Sequence, residues 1–253
     1  MGKYKRRWEH RNGMKKFVAA LVLVKLAFIV SFLTLAVTSC QSSSSQTVEV
    51  SATPSPSPEA NDNIERPTSE PYTGDLLIFE GAERAKNLQI DRVMDILKIS
   101  DKKTVADIGA GSGWFTVRAA KRVGTGGQVF AVEINQEYID HINARAKTEN
   151  LTNIKTILGK PNDPVLPPNS VDSVLILKTY HEIAEPIRLL RNLKAALKKD
   201  ALLGIIDRNG NGDDHGLDKE TVIKEAALAG YILKEQYDFV KPDGMDYFLV
   251  FGQ

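Results

Sequence analysis

The stretch that decides the fold of this 253-residue chain reads Val105-Ala106-Asp107-Ile108-Gly109-Ala110-Gly111-Ser112-Gly113-Trp114-Phe115. Apolar residues that favour strands lead into an acidic residue. Glycine then occupies every second position before an amphipathic segment that runs to Val123. The pattern predicts a strand, a tight turn and a helix. Glycines in such a turn let a ligand approach the main chain, and the start of the helix directs unpaired N–H groups at it. We therefore expect a small molecule to bind at this turn.

The glycine spacing separates this turn from the dinucleotide-binding fingerprint. That fingerprint is G-x-G-x-x-G, whereas this chain has G-x-G-x-G with an Asp two residues before the first Gly. The turn resembles the first motif of class I S-adenosylmethionine-dependent methyltransferases, and the resemblance extends over residues 105–252. It implies that the cofactor is S-adenosylmethionine. It also implies that Gly109, Gly111 and Gly113 approach the methionine portion, with Asp107 helping to hold its amino group.

Three further positions are candidate contacts for the nucleoside portion. Glu133 ends the second predicted strand, where a carboxylate can accept both hydroxyl protons of a ribose, and Ile134 can pack on adenine. The resemblance gives this acid the same role, but nicotinamide enzymes place an acid similarly, so Glu133 indicates a nucleoside in general. A helix-capping or surface acid is the alternative. Asp163 matches a loop where many family members present an acid or amide to adenine, and an Asp that only forms an Asp-Pro turn is equally compatible.

From residue 75 onward, strand and helix periodicities alternate, which predicts an α/β fold with a mostly parallel sheet covered on both faces. Strands are predicted at 104–108, 128–133, 154–158, 171–177 and 201–207, and helices at 90–97, 114–123, 136–147, 186–199 and 219–229. The proline-rich residues 159–170 predict a loop. Residues 231–240 and 245–251 are two strands joined by a Pro-Asp-Gly turn, and so an antiparallel hairpin. Such a hairpin is how the doubly wound, seven-stranded Rossmann-like methyltransferase fold ends.

Polar side chains follow the fourth and fifth predicted strands. The fourth runs into Lys178-Thr179-Tyr180-His181-Glu182, and the fifth ends at Asp207. Because the carboxyl ends of parallel strands border the ligand crevice, we predict Tyr180, His181 and Asp207 as catalytic residues, with Tyr180 or His181 orienting or deprotonating the methyl acceptor. The alternative is that His181 and Glu182 cap the following helix.

Residues 207–218 fit the calcium-loop pattern D-x-[DN]-x-[DN]-G, except that Asp218 replaces the final Glu. A strand precedes this loop where a calcium-binding EF-hand has a helix. We therefore predict a loop at the rim of the active site that offers Asp207, Arg208 or His215 to a substrate, and no metal site.

The N-terminus carries a targeting pattern. Residues 1–40 hold eight Lys or Arg against one Glu, then a 12-residue apolar run at 26–37, and then Cys40, the only cysteine. The pattern resembles a bacterial lipoprotein signal peptide, whose cleavage leaves a lipid-modified cysteine at the new N-terminus. The run is short for a spanning helix, which needs about 20 residues, although an uncleaved anchor over 17–37 is the alternative. Both interpretations predict an exported protein anchored to a membrane of the bacterial cell envelope, periplasm-facing in a Gram-negative cell.

Residues 41–74 are rich in Ser and Pro and predict a disordered linker, which leaves 75–253 as the methyltransferase domain. Outside the first 40 residues the chain has 25 basic and 31 acidic residues. This acidic balance argues against nonspecific nucleic-acid binding, but it is compatible with an RNA substrate held by a local patch. We expect a small-molecule acceptor. Because S-adenosylmethionine is made in the cytosol, a noncatalytic nucleoside-binding module that keeps the pocket is the main alternative. A nicotinamide-dependent oxidoreductase would instead need a parallel C-terminal sheet.

Overall fold

A computed structural model describes residues 64–68, 72, 74–211 and 215–253 of the chain. The predicted signal peptide or anchor at 1–40 and most of the predicted linker lie outside the described residues. Among the residues described, no helix combines the length and apolar character needed to cross a membrane.

The domain is built on a seven-stranded sheet with the strand order β3-β2-β1-β4-β5-β7-β6. Neighbouring strands from β1 to β5 pair in parallel, and β7 pairs antiparallel with both β5 and β6. The predicted α/β fold and the antiparallel insertion of the last strand are confirmed. The strands are β1 (Thr104–Ile108), β2 (Gln128–Glu133), β3 (Ile154–Leu158), β4 (Val171–Leu177), β5 (Leu197–Arg208), β6 (Ile232–Tyr237) and β7 (Asp246–Gly252).

In the part of the chain that the structure describes, six α-helices cover the two faces of the sheet. Side chains of α1 to α4 pack on one face, and those of α5 and α6 pack on the other. This arrangement explains the nearly continuous apolar strands, since both faces of the central strands are buried. The helices are α1 (Arg84–Leu88), α2 (Ile90–Ile96), α3 (Trp114–Val123), α4 (Gln136–Thr148), α5 (Pro186–Ala196) and α6 (Lys219–Leu228), and short 3₁₀ turns occupy Leu76–Glu80 and Tyr180–Glu182.

The largest departure from the predicted boundaries lies between α5 and β5. The helix ends at Ala196 and the strand begins at Leu197, whereas we expected a helix to 199 and a strand from 201. Leu197 is buried and pairs with Val171, next to an irregularity in the register of β4 and β5. Tertiary packing of Leu197 therefore overrides the helical pattern of the preceding residues. Residues 159–170 form no helix, as predicted.

The packed domain begins before the boundary predicted at residue 75. Arg66 N–H donates to Ala184 O, and its guanidinium donates to the buried Glu225 carboxylate on α6 at 2.6 Å. The guanidinium also lies over the ring of Tyr180. Part of the expected linker is thus anchored to the domain.

Candidate active site

The three motif glycines follow β1 and all have positive φ, but they meet different surroundings. A Cβ at Gly109 would lie 2.3 Å from Thr179 Cγ2, and one at Gly113 would lie 3.1 Å from Ile142 Cγ1. At these two positions, glycine leaves room for side chains from elsewhere in the same chain to pack against the turn. A Cβ at Gly111, with φ of 54°, would meet nothing within 4 Å. Gly111 is therefore the motif glycine whose main chain faces open space for a ligand.

Glu133 closes this space from the end of β2. Its Oε1 accepts from Gly111 N–H at 2.6 Å, and its Oε2 accepts from Ile134 N–H at 3.0 Å. Burial raises the pKa of Glu133, while backbone N–H groups that include these two hold it down. The Ile134 side chain is 52% exposed, which is high for isoleucine. The structure thus brings Gly111, Glu133 and Ile134 together at the ends of β1 and β2.

Asp107 lies deeper, beneath the turn. Its carboxylate is buried and accepts a 2.6 Å hydrogen bond from Thr116 Oγ1 on α3. Burial raises the pKa of Asp107 to about 7. The hydrogen bond from Thr116 lowers this pKa, whereas the negative charge of Glu133 raises it further. A cation bound nearby would favour the ionised carboxylate.

Residues that precede β1 cover the glycine turn. The sequence did not indicate this cover. Glu80 accepts from Ser112 Oγ at 2.7 Å and from Arg145 at 2.6 and 3.1 Å. Arg84 lies over the ring of Trp114, with 4.4 Å between its Cζ and the ring centroid. Burial lowers the pKa of Arg84, and the charges of Asp107 and Glu80 oppose that shift. These contacts join residues that are distant in the sequence, so no local sequence pattern predicts them.

Asp163 takes the turn-forming role that we named as the alternative to adenine binding. Its Oδ1 accepts from Val165 N–H at 2.8 Å, two residues along the chain. Lys160 and Asp163 form an isolated antiparallel bridge across the same turn. The contacts given by the structure therefore explain this acid without a ligand.

Tyr180 is buried in the core, and its role in orienting or deprotonating an acceptor stays a prediction. Its side chain is fully buried, and its hydroxyl donates to Glu225 Oε2 at 2.9 Å. Burial, together with the charge of Glu225, raises the pKa of Tyr180 well above its ordinary value. The 3₁₀ turn after β4 directs this residue into the core that α5 and α6 cover.

His181, the next residue, is held by the other predicted catalytic residue, Asp207. Its ring Nδ1 lies 2.9 Å from Asp207 Oδ1, and its backbone N–H donates to Asp207 Oδ2 at 3.0 Å. Asp207 is fully buried at the end of β5. Burial lowers the pKa of His181, but the hydrogen bond and charge of Asp207 and the charge of Glu182 raise it more, so the pKa ends above its usual value. The carboxylate orients the ring and leaves Nε2 on the opposite side.

Nearby contacts bear on the capping and calcium-loop alternatives. The first residue before α5 is Glu185, and it makes no side-chain capping bond. Asp207 is bonded to His181, and Asp218 caps α6 by accepting from Thr221 N–H at 3.1 Å. Two of the side chains that a calcium loop would use are therefore engaged elsewhere. Residues 212–214 of this loop lie outside the described part.

Lys178 directly follows β4 and has a positive φ of 58°. Its Nζ lies 2.5 Å from Asp246 Oδ2, whose side chain is 3% exposed. This ion pair ties the end of β4 to the start of β7 and accounts for the lysine without a cofactor.

Comparisons with known proteins agree with this geometry. Residues 105–200 match a family model described as a methyltransferase domain. A SAM-dependent methyltransferase from Aquifex aeolicus has a similar structure, with a TM-score of 0.64 and 22% identity over 70% of this chain and 95% of that one. The fold is that of S-adenosylmethionine-dependent methyltransferases. An S-adenosylmethionine-dependent methyltransferase from Mesorhizobium loti shares this methyltransferase fold at 14% identity and a TM-score of 0.54, over 69% of this chain and 99% of that one.

Two other similar proteins show how far activity can be inferred from this fold. The [4+2]-cyclase SpnF has a TM-score of 0.56 and 16% identity, over 66% of this chain and 80% of its own. The methyltransferase fold therefore also occurs in a protein named for another activity. A sequence relative, an uncharacterized 37.1 kDa protein in transposon TN4556 of Streptomyces fradiae, is 25% identical over 132 residues, and the match spans 52% of this chain and 36% of that protein.

Proposed function

We propose that this protein binds S-adenosylmethionine and transfers its methyl group to a small-molecule acceptor. The observation that carries the proposal is the open space at Gly111, bordered by the Glu133 carboxylate and the exposed Ile134. A sulfonium nucleoside fits this set, because its ribose needs an acceptor of two hydroxyl protons and its adenine needs an apolar surface. The methyltransferase fold and the family match support the same assignment.

The residues divide between the two ends of the cofactor. Gly111 would approach the methionine portion, and Asp107 would favour its ammonium group, with Arg84 nearby to balance a carboxylate. Glu133 would exchange its bond to Gly111 N–H for bonds to the ribose hydroxyls. Asp163, which forms its own turn, is left out of this set.

The acceptor end is assigned to His181 and Asp207. When bound, S-adenosylmethionine supplies a methyl group that is already electrophilic, so the protein's work is mainly positioning. His181 Nε2 would take the proton that the acceptor heteroatom loses as it bonds to the methyl carbon. Asp207 would fix the ring orientation and stabilise the protonated form.

We also propose export and attachment to the bacterial cell envelope through the N-terminus. The basic residues at the start, the apolar run at 26–37 and the single Cys40 support this. Mass analysis of the mature protein tests it directly, because a lipoprotein begins at a lipid-modified Cys40, whereas an anchored protein retains residues 17–37.

The activity is tested by calorimetric titration of the full chain with S-adenosylmethionine and S-adenosylhomocysteine, followed by a labelled-methyl transfer assay over lipid, quinone and amine acceptors. We expect saturable binding that Glu133→Gln weakens at least tenfold. The matched control is Glu137→Gln, which alters an exposed carboxylate in the first turn of α4. Binding without any methylated product would favour the noncatalytic module, and no binding at all would overturn the proposal.

A further inference from the structure

Three side chains with metal-ligating atoms meet at the carboxyl ends of β4 and β5. Glu182 Oε1 lies 3.4 Å from His181 Nε2 and 3.5 Å from His215 Nδ1. One ligand atom from each residue lies within 4.8 Å of the other two. The sequence predicts that His181, Asp207 and the loop that bears His215 contact the acceptor. It does not predict that His181, Glu182 and His215 meet at one point.

The spacing of these atoms suits a tetrahedral metal. Zn²⁺ binds nitrogen and carboxylate oxygen at about 2.0–2.2 Å, so neighbouring ligands in a tetrahedron lie about 3.3–3.5 Å apart. Two of the three separations in the cluster already have this length. The third, between the histidines, can close because the His215 side chain is 75% exposed at the end of a loop.

Asp207 supplies the support that a metal-binding histidine needs. Metal-ligating imidazoles usually donate their other ring N–H to a carboxylate, which fixes the tautomer and the ring orientation. Asp207 occupies this place at His181 Nδ1, is fully buried, and also binds the His181 backbone N–H. Nε2 is thereby presented as the ligating atom on the side of Glu182.

We propose that His181, Glu182 and His215 bind one divalent first-row transition metal, with Zn²⁺ as the representative ion. Two imidazoles and one carboxylate suit this class of metal, whereas Ca²⁺ and Mg²⁺ prefer oxygen ligands. Three protein ligands leave at least one position for a water or for an oxygen or nitrogen atom of another molecule.

The role of the open position rests on the proposed function, but metal binding does not. If the acceptor binds there, the metal would lower the pKa of its bound hydroxyl group, so that water takes the proton before the oxygen bonds to the methyl carbon. His181 Nε2 would then act as a ligand in the metal-bound protein, and as the proton acceptor only in the metal-free one. The acceptor class that this site fits is a molecule with a hydroxyl or similar donor atom.

The test is titration of the chelator-treated full chain with ZnCl₂ by calorimetry, and with Co²⁺ by visible absorption spectroscopy. We expect one saturable site per chain, the intense spectrum of tetrahedral Co²⁺, and at most weak binding of CaCl₂. His215→Ala and Glu182→Gln should each weaken Zn²⁺ binding at least tenfold, and Asp207→Asn should weaken it by about 10- to 100-fold. His141→Ala, which removes an exposed histidine on α4, is the matched control and should change nothing.

Because His215 is exposed, its substitution should leave folding intact, and far-ultraviolet circular dichroism checks this. Absence of saturable Zn²⁺ binding, or wild-type affinity in both His215→Ala and Glu182→Gln, would overturn the proposal. Titration with S-adenosylmethionine after chelation separates the two failures. Cofactor binding without metal binding refutes only the metal site, and metal binding without cofactor binding refutes only the methyltransferase assignment.

Discussion

Substitution of Gly111 by alanine separates ligand binding from folding. Gly111 and Gly244 share a left-handed backbone, with φ of 54° and 68°, and a Cβ at either position meets nothing within 4 Å. Alanine at either site should cost the backbone strain alone, about 1–2 kcal/mol. That cost lowers the melting temperature by about 2–4 °C per kcal/mol in a domain of this size. Gly109→Ala pays the same strain and also forces a Cβ to within 2.3 Å of Thr179 Cγ2, so it should destabilise the domain much more.

Cofactor binding should separate the variants differently. Gly111→Ala places a methyl group in the space assigned to S-adenosylmethionine and should weaken binding more than tenfold, which is about 1.4 kcal/mol. Gly244→Ala, in the turn between β6 and β7, should bind as the wild type does. The assays are thermal denaturation and calorimetric titration with S-adenosylhomocysteine. Wild-type affinity in Gly111→Ala, or an equal loss of affinity in Gly244→Ala, would refute the location of the pocket.

Three further predictions concern the buried polar groups. Asp207→Asn should lower the pKa of the His181 ring, measured by NMR titration after chelation, because it removes the charge that raises this pKa; an unchanged titration would contradict the pairing. Tyr180→Phe should cost about 1–3 kcal/mol in urea denaturation, because it removes a hydrogen bond to the buried Glu225 carboxylate, and should leave cofactor affinity unchanged. The Asp107 carboxyl group has a pKa of about 7 in the folded protein. Between pH 4 and 7 the unfolded chain therefore releases this proton while the folded chain keeps it, so the folded state loses stability as the pH rises. Asp107→Asn should therefore gain stability relative to the wild type over that range while binding S-adenosylmethionine more weakly, and a constant difference in stability between pH 4 and 8 would contradict this.

The sheet could be predicted closely because its signals are local. The first four strands have the predicted bounds, since each is a short run rich in apolar residues and flanked by turn residues. The hairpin of β6 and β7 follows from its Pro-Asp-Gly turn, where Gly244 takes the positive φ and Met245 N–H bonds to Asp243 Oδ1 at 3.0 Å. The start of β5 could not be predicted, because Leu197 joins the strand through its pairing with Val171, which lies far away in sequence.

The placement of candidate site residues could be predicted only where the strand order brings them together. Gly111 and Glu133 lie at strand ends, and the topology alone brings strand ends together. Tyr180 and His181 are different, because they are adjacent in sequence and a single 3₁₀ turn separates their environments. Tyr180 is buried in the core, where Glu225 on α6 receives its hydroxyl, and His181 is held beside Asp207 on β5, which contacts both its ring and its backbone N–H. Each of these side chains is oriented by a carboxylate at least 26 residues away in the sequence. The hydrophobic periodicity around β4 therefore does not predict their orientations. The same reasoning explains the His181, Glu182 and His215 cluster: Asp207 fixes the first ligand, and the loop after β5 brings the third.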